Sequence, residues 1–110
     1  MKDLSLLVKF LEEHKLKNIA VYDLSTASNS RYVIIATALS VQTNKQVADL
    51  LKEKLNYSEK VEGYNKGEWI IFDLDYYTIH LFLSKVREKY NLDKLYKPKK
   101  ITVKTDKDEK

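Results

Sequence analysis

Seven consecutive residues, Tyr32 to Ala38 (YVIIATA), carry almost no polar side chain. Successive side chains of a strand point to opposite faces, so a half-exposed strand alternates apolar with polar. A run this uniform suits a strand covered on both sides. The chain is therefore expected to build its sheet around residues 32–38 and to place further layers above and below. Its 110 residues fit one domain large enough to bury a core without staples.

The segments on either side agree with that plan. Leu4, Leu7, Val8 and Leu11 follow helical spacing, which predicts a helix over about residues 3–16 with Asp3 as N-cap. Residues 18–25 (NIAVYDLS) read as a strand, and Thr26 to Arg31 as a turn. Val47, Leu50, Leu51 and Leu55 mark a second helix over 40–55, capped by Ser40 or Thr43. Tyr57 to Tyr64 reads as a short strand broken at Gly63. Trp69–Phe72 and Tyr77–Phe82 are the strongest strands, and Leu83, Val86, Arg87 and Tyr90 mark one side of a last helix. Asn91 to Leu95 adds a turn, and Pro98 and the charged run behind it end the fold. The order predicts an α/β (α+β) fold, a mixed sheet of about five strands with helices packed on it. Only the connection through the second helix has the length of a parallel crossover. Residues 1–96 form the domain in this reading, and 97–110 a charged, flexible tail.

Charge narrows the class of partner. The tail holds six Lys against three acids, +3 of the formal +4, which leaves the first 96 residues at only +1. A nucleic-acid-binding domain usually concentrates its positive charge on the folded surface, so RNA is not expected as the sole partner, although the tail and eight Tyr permit a minor contact. The chain has no Cys, which excludes disulfides and thiolate metal sites. No apolar run approaches the ~18 residues of a membrane span, and Lys9, Glu12 and Glu13 interrupt the N-terminal apolar residues as no signal peptide would. The expectation is a cytoplasmic protein without a membrane association.

Chemistry-bearing residues concentrate between Glu62 and Tyr96. A tight turn at Asp73 to Tyr76, centred on Leu74 and Asp75, pairs Asp73 with Tyr76, Ile71 with Thr78 and Trp69 with His80. One face of the hairpin then carries Trp69, Ile71, Asp73, Tyr76, Thr78 and His80, and the other, Ile70, Phe72, Tyr77, Ile79 and Leu81, is uniformly apolar or aromatic. Large aromatics with polar tips are the composition of a protein-binding surface. Each has a structural reading too: Trp69 in the core, His80 bonded within the sheet, Asp73 at the turn, Arg87 as an ion-pair partner. Asp73 and Asp75 also have the spacing of a metal-binding acidic pair. Metal-assisted nucleotidyl transfer would want a Gly-rich phosphate cradle, and the chain has only Gly63 and Gly67. No metal, no cofactor and no catalysis are expected.

The ordered set Glu62-Gly63, Trp69, Asp73, His80, Arg87, Tyr90, Leu92 and Leu95 resembles the ribosomal silencing factor (Iojap-like) family. YVIIATALS resembles that family's apolar strand ending in Thr-Gly-x-Ser, and Val47 to Leu51 the helix after it. The resemblance covers about residues 3–96. Arg31 stands where the family usually has an acid, Ala38 where it has Gly, Asp75-Tyr76 where it has Gly-Asp, and Tyr96 where it has Trp. The resemblance implies a nucleotidyltransferase-like fold without transferase chemistry. It implies a monomer or homodimer that binds the large ribosomal subunit through a ribosomal protein on the subunit interface, sterically blocks small-subunit joining and represses translation. Large-subunit assembly is the alternative role, and a metal-dependent nucleotidyltransferase-like enzyme a more distant one. Trp69, Tyr76 and His80 are the expected central contacts, Thr78 lies among them, and Asp73 and Arg87 set their register.

Overall fold

A computed structural model describes residues 4–103. Its elements are α1 (Leu4–Glu13), β1 (Lys17–Asp23), β2 (Tyr32–Ala38), α2 (Val41–Lys54), β3 (Trp69–Asp73), β4 (Tyr77–Leu83), α3 (Ser84–Tyr90), α4 (Leu92–Tyr96), a 3-10 turn at Lys97–Lys99 and β5 (Lys100–Ile101). The sheet has five strands in the order β3-β4-β2-β1-β5. β2 and β4 are parallel, and β1–β2, β1–β5 and β3–β4 are antiparallel. The expected N-cap Asp3 lies outside the described residues. Among the described residues no helix is long and apolar enough to cross a membrane.

β2 is the central strand, and its residues Val33 to Ala38 are all buried. One face of the sheet meets α1 and α2 through a core of Leu7, Leu11, Ile34, Leu51, Phe72 and Ile79, among others. The opposite face carries a smaller cluster of Ala20, Tyr22, Val33, Ile35 and Phe82, against which Val86 of α3 and Leu92 and Tyr96 of α4 pack. These short helices therefore cover only part of that face.

Three helix ends use non-glycine residues in the left-handed region. Lys15 (φ 70°) and Asn56 (φ 53°) close α1 and α2. In each the two N–H groups past the helix turn back, Leu16 to Leu11 O and Lys15 to Glu12 O, then Tyr57 to Lys52 O and Asn56 to Glu53 O. Asn91 (φ 48°) serves twice: its N–H closes α3 on Arg87 O, and its side-chain oxygen accepts from Lys94 N–H at the start of α4.

Two expectations change. Residues 57–64 form no strand: their backbone pairs with β3 at the single bridge between Glu62 and Ile71, beside which the Tyr57 ring packs on Phe72 and Gly63 lies against Trp69. Tyr57, Val61 and Tyr64 turn inward at intervals of four and three rather than two, and Gly63 and Gly67, both at positive φ, curl the segment back. This segment also climbs the sheet, so β3 enters antiparallel to β2 and the parallel partner arrives one strand later, as β4. The fifth strand is β5: Lys100 and Ile101 pair with Tyr22 and Val21. The boundary expected at residue 96 thus falls inside the folded unit, whereas residues 104–110 lie outside the described ones.

Candidate functional site

The β3–β4 hairpin sets the site. Its pairs are Asp73 with Thr78, Ile71 with His80 and Trp69 with Phe82, and the turn closes through Leu74 N–H to Tyr77 O at 2.9 Å. The turn is therefore centred on Asp75 and Tyr76, one residue later than expected, which moves every pairing by two. A shift of two preserves the faces. Ile70, Phe72, Ile79 and Leu81 still point into the α1–α2 core. Tyr77 lies in that core as expected, and Leu74 packs against it. Tyr76 leaves the strand for the turn tip, where it is 44% exposed and its carbonyl accepts Tyr32 N–H.

On the opposite face Trp69 and His80 form one unit. Trp69 Nε1–H donates to His80 Nδ1 at 3.0 Å, so the imidazole is neutral with its own proton on Nε2. Burial pushes the His80 imidazole down to about 4, with the Asp73 carboxylate opposing. The indole stacks on Phe82 at 4.8 Å and meets the Tyr90 ring of α3 at 4.8 Å. His80 is only 9% exposed; its part is to fix the indole, whose half-buried ring forms the surface.

Outward from the indole the face turns polar. Arg31 Nη2 donates to Thr78 Oγ1 at 3.2 Å, and Thr78 Oγ1 donates to Asp73 Oδ1 at 3.3 Å. The ion pair between Arg31 and Asp73 spans 3.7 Å with side chains 42% and 65% exposed, so it contributes little stability and leaves both groups open to a partner. The Asp73 carboxylate faces this guanidinium, and no group of three or more His, Cys, Asp or Glu able to hold a metal ion occurs among the described residues.

Arg87 lies elsewhere. Its Nε and Nη2 grip Asp93 as a fork at 2.9 and 2.8 Å, and Nη1 donates to Asn18 O at 2.6 Å and Thr37 Oγ1 at 2.9 Å. Tyr22 OH donates to the same Asp93 carboxylate at 2.7 Å. Four of its five N–H groups are thus spent inside the molecule, tying α3 and α4 to β1 and β2. Bonds from Arg87 hold the Asp93 carboxyl below the usual carboxylate range, and burial together with Asp93 raises the Tyr22 phenol.

The structure therefore brings together Trp69, Asp73, Thr78 and His80, sets Tyr76 at the hairpin tip and leaves Arg87 as a brace. Sequence reasoning missed Phe82 beneath the indole, whose place follows once the turn is moved by one residue. It also missed Asn44. This buried side chain donates to Gly67 O and Leu81 O, both at 2.9 Å, and so fastens the segment that delivers Trp69. A polar residue at an inward helical position is the available signal.

The class that this fold and site define is a small α+β domain, a five-stranded mixed sheet with helices on both faces, presenting an aromatic face with a polar rim. The whole chain, residues 1–110, matches the family described as "Ribosomal silencing factor during starvation". It is 30% identical over 98 residues to the ribosomal silencing factor RsfS of Zymomonas mobilis, covering 84% of this chain and 74% of that one. To the RsfS of Chromobacterium violaceum it is 29% identical over 96 residues, 83% of this chain and 79% of that one. The crystal structure of protein CV0518 from Chromobacterium violaceum superimposes with a TM-score of 0.74 at 27% identity over 98% of both chains. A Bacillus halodurans structure at 22% identity shares the fold, with a TM-score of 0.69 over 91% of this chain and 96% of that one. The chain belongs to the ribosomal silencing factor family.

Proposed function

We propose that this protein binds the large ribosomal subunit through a ribosomal protein on the joining face, and that its bulk there keeps the small subunit from docking and so represses translation. The observation that carries the reading is the aromatic face of β3 and β4, left open beside α3 in a chain of this family. Blocking requires no chemistry. It requires a rigid patch, and a domain of this size can supply the ~800 Å² per partner of a standard interface.

The roles divide by depth. Trp69, Tyr76 and Tyr90 supply exposed aromatic area, and Asp73, Thr78 and Arg31 supply the polar rim that fixes register. His80 and Arg87 act behind them, one holding the indole and the other holding α3. Cosedimentation of the full-length protein with purified subunits tests this. The protein travels with the large subunit, and its prior addition prevents subunit joining. Tyr76→Ala, at an exposed turn, weakens binding without unfolding, and Trp69→Ala costs about 2 kcal/mol, roughly 30-fold. Binding that withstands both substitutions refutes the site. Binding without a block refutes steric silencing and points to subunit assembly.

A further inference from the structure

We propose that the sheet margin beside α1 is a second binding site, one that takes an acidic amphipathic helix from a protein partner. α1 lies over β1 and α2 over β2, β3 and β4. Neighbouring strands are ~4.8 Å apart and packed helices ~8–10 Å apart, so two helices cover about four strands. Among the described residues no helix lies over the fifth position, β5. That position forms a groove of about 730 Å³, within the ~300–1,000 Å³ of ligand clefts.

The lining defines the occupant. Val8 of α1 makes one wall, and Ile19, Val21, Ile101 and Val103 form an aliphatic floor. Leu39 stands at the margin 77% exposed, the most open large apolar side chain among the described residues. Lys15, Lys17 and Lys100 border this floor, and Glu12 is the single acid among the lining residues. No aromatic ring lines the groove, so bases have no stacking platform and RNA fits poorly. A groove of mixed lining, in which partly exposed Ile19, Ile101, Val103 and Leu39 lie between Lys15, Lys17 and Lys100, matches a helix carrying a narrow apolar stripe between carboxylates, the helix-in-groove mode of recognition. The site lies at the opposite margin of the sheet from β3 and does not depend on the ribosomal reading.

The test is an NMR titration of the full-length protein with a synthetic peptide of about four helical turns. The peptide has Leu at i, i+3, i+4 and i+7 and Glu on both flanks; its control carries Lys in place of Glu. The acidic peptide should shift the amides of Ile19, Ile101 and Val103 and gain helix on binding. The double substitution Lys17→Glu with Lys100→Glu should weaken it at least about tenfold, and Leu39→Asp, at an exposed position, should weaken it as well. All three changes are on the surface, and an unchanged spectrum of the free variant establishes that the fold persists. Equal binding of the Lys peptide, shifts confined to the β3–β4 face, undiminished binding to the variants, no binding at millimolar peptide, or preference for oligouridylate would each overturn the proposal.

Discussion

Replacing Arg87 by Ala should act on stability first and on binding second. The substitution removes both arms of the fork to Asp93 and the bonds to Asn18 O and Thr37 Oγ1. Arg87 and Asp93 side chains are 14% and 28% exposed, so water reaches the orphaned carboxylate only in part. Removing one member of a buried pair costs ~3–5 kcal/mol, and partial exposure places this one near the low end, about 3 kcal/mol. Arg87→Lys keeps the charge but lacks the planar fork and cannot meet three acceptors at once, so it should lose about half as much.

The loss should depend on pH in a defined direction. Arg87 holds the folded Asp93 carboxyl below its ordinary value of 3.8. The unfolded chain therefore takes up this proton first as acid is added. The stabilisation is complete above the unfolded value and disappears as pH falls through the folded one. Urea unfolding followed by Trp69 fluorescence, at pH 7 and near pH 3, reads the difference between wild type and Arg87→Ala. His80 titrates over part of the same range, so both proteins are compared in a His80→Gln background, which removes its contribution. The gap should be about 3 kcal/mol at pH 7 and clearly smaller in acid. Because α3 carries Val86 and Tyr90 to the indole, the native variant should also fluoresce at longer wavelength. A gap below about 1 kcal/mol at pH 7, or one equal at both pH values, would refute the brace.

His80 provides a second pH dependence. Its folded value near 4 lies below the ordinary 6.5, so the unfolded chain binds the proton first, and stability should fall by up to about 3 kcal/mol as pH drops from about 6.5 to 4. Urea midpoints across that range measure it, and His80→Gln should remove the slope. Gly63→Ala should cost more than about 2 kcal/mol by thermal unfolding, because φ is +80° and a Cβ there collides with the Trp69 carbonyl oxygen. Gly67→Ala shares the left-handed backbone, at φ +76°, but its Cβ meets side-chain atoms, Val41 Cγ1 at 2.7 Å and Lys45 Cε at 2.9 Å, instead of a carbonyl oxygen, and should cost less. Asn44→Ala strands two buried carbonyls and should cost about 2 kcal/mol by urea unfolding.

What was legible in the sequence follows from the range over which each signal acts. Local periodicity located α1, α2 and β2, because each buries a whole face or stripe. The hairpin faces were also legible, since alternation survives any register shift of two, whereas the register itself was not, because the turn lacks the glycine that would have marked its centre. β5 had no local signature. Two residues inside a lysine-rich run become a strand only because β1 offers an edge to them. Residues 57–64 erred the other way, with β-forming residues whose spacing suits a packed loop.

The same distinction sorts the site. Trp69 and His80 belong together in either register, since their shared face does not depend on the turn; the bond runs diagonally, across from the pairs Trp69–Phe82 and Ile71–His80. For Arg87 the sequence offers a carboxylate at the hairpin and another six residues on, and only the left-handed turn at Asn91 decides between them by folding α4 back so that Asp93 meets the guanidinium. That choice has a consequence at the surface. With Arg87 committed to Asp93, the Asp73 carboxylate is left to Arg31, an exposed pair at 3.7 Å instead of a closed fork. In the proposed function a partner takes either charge at small cost, which is what a rim that sets register without resisting docking requires.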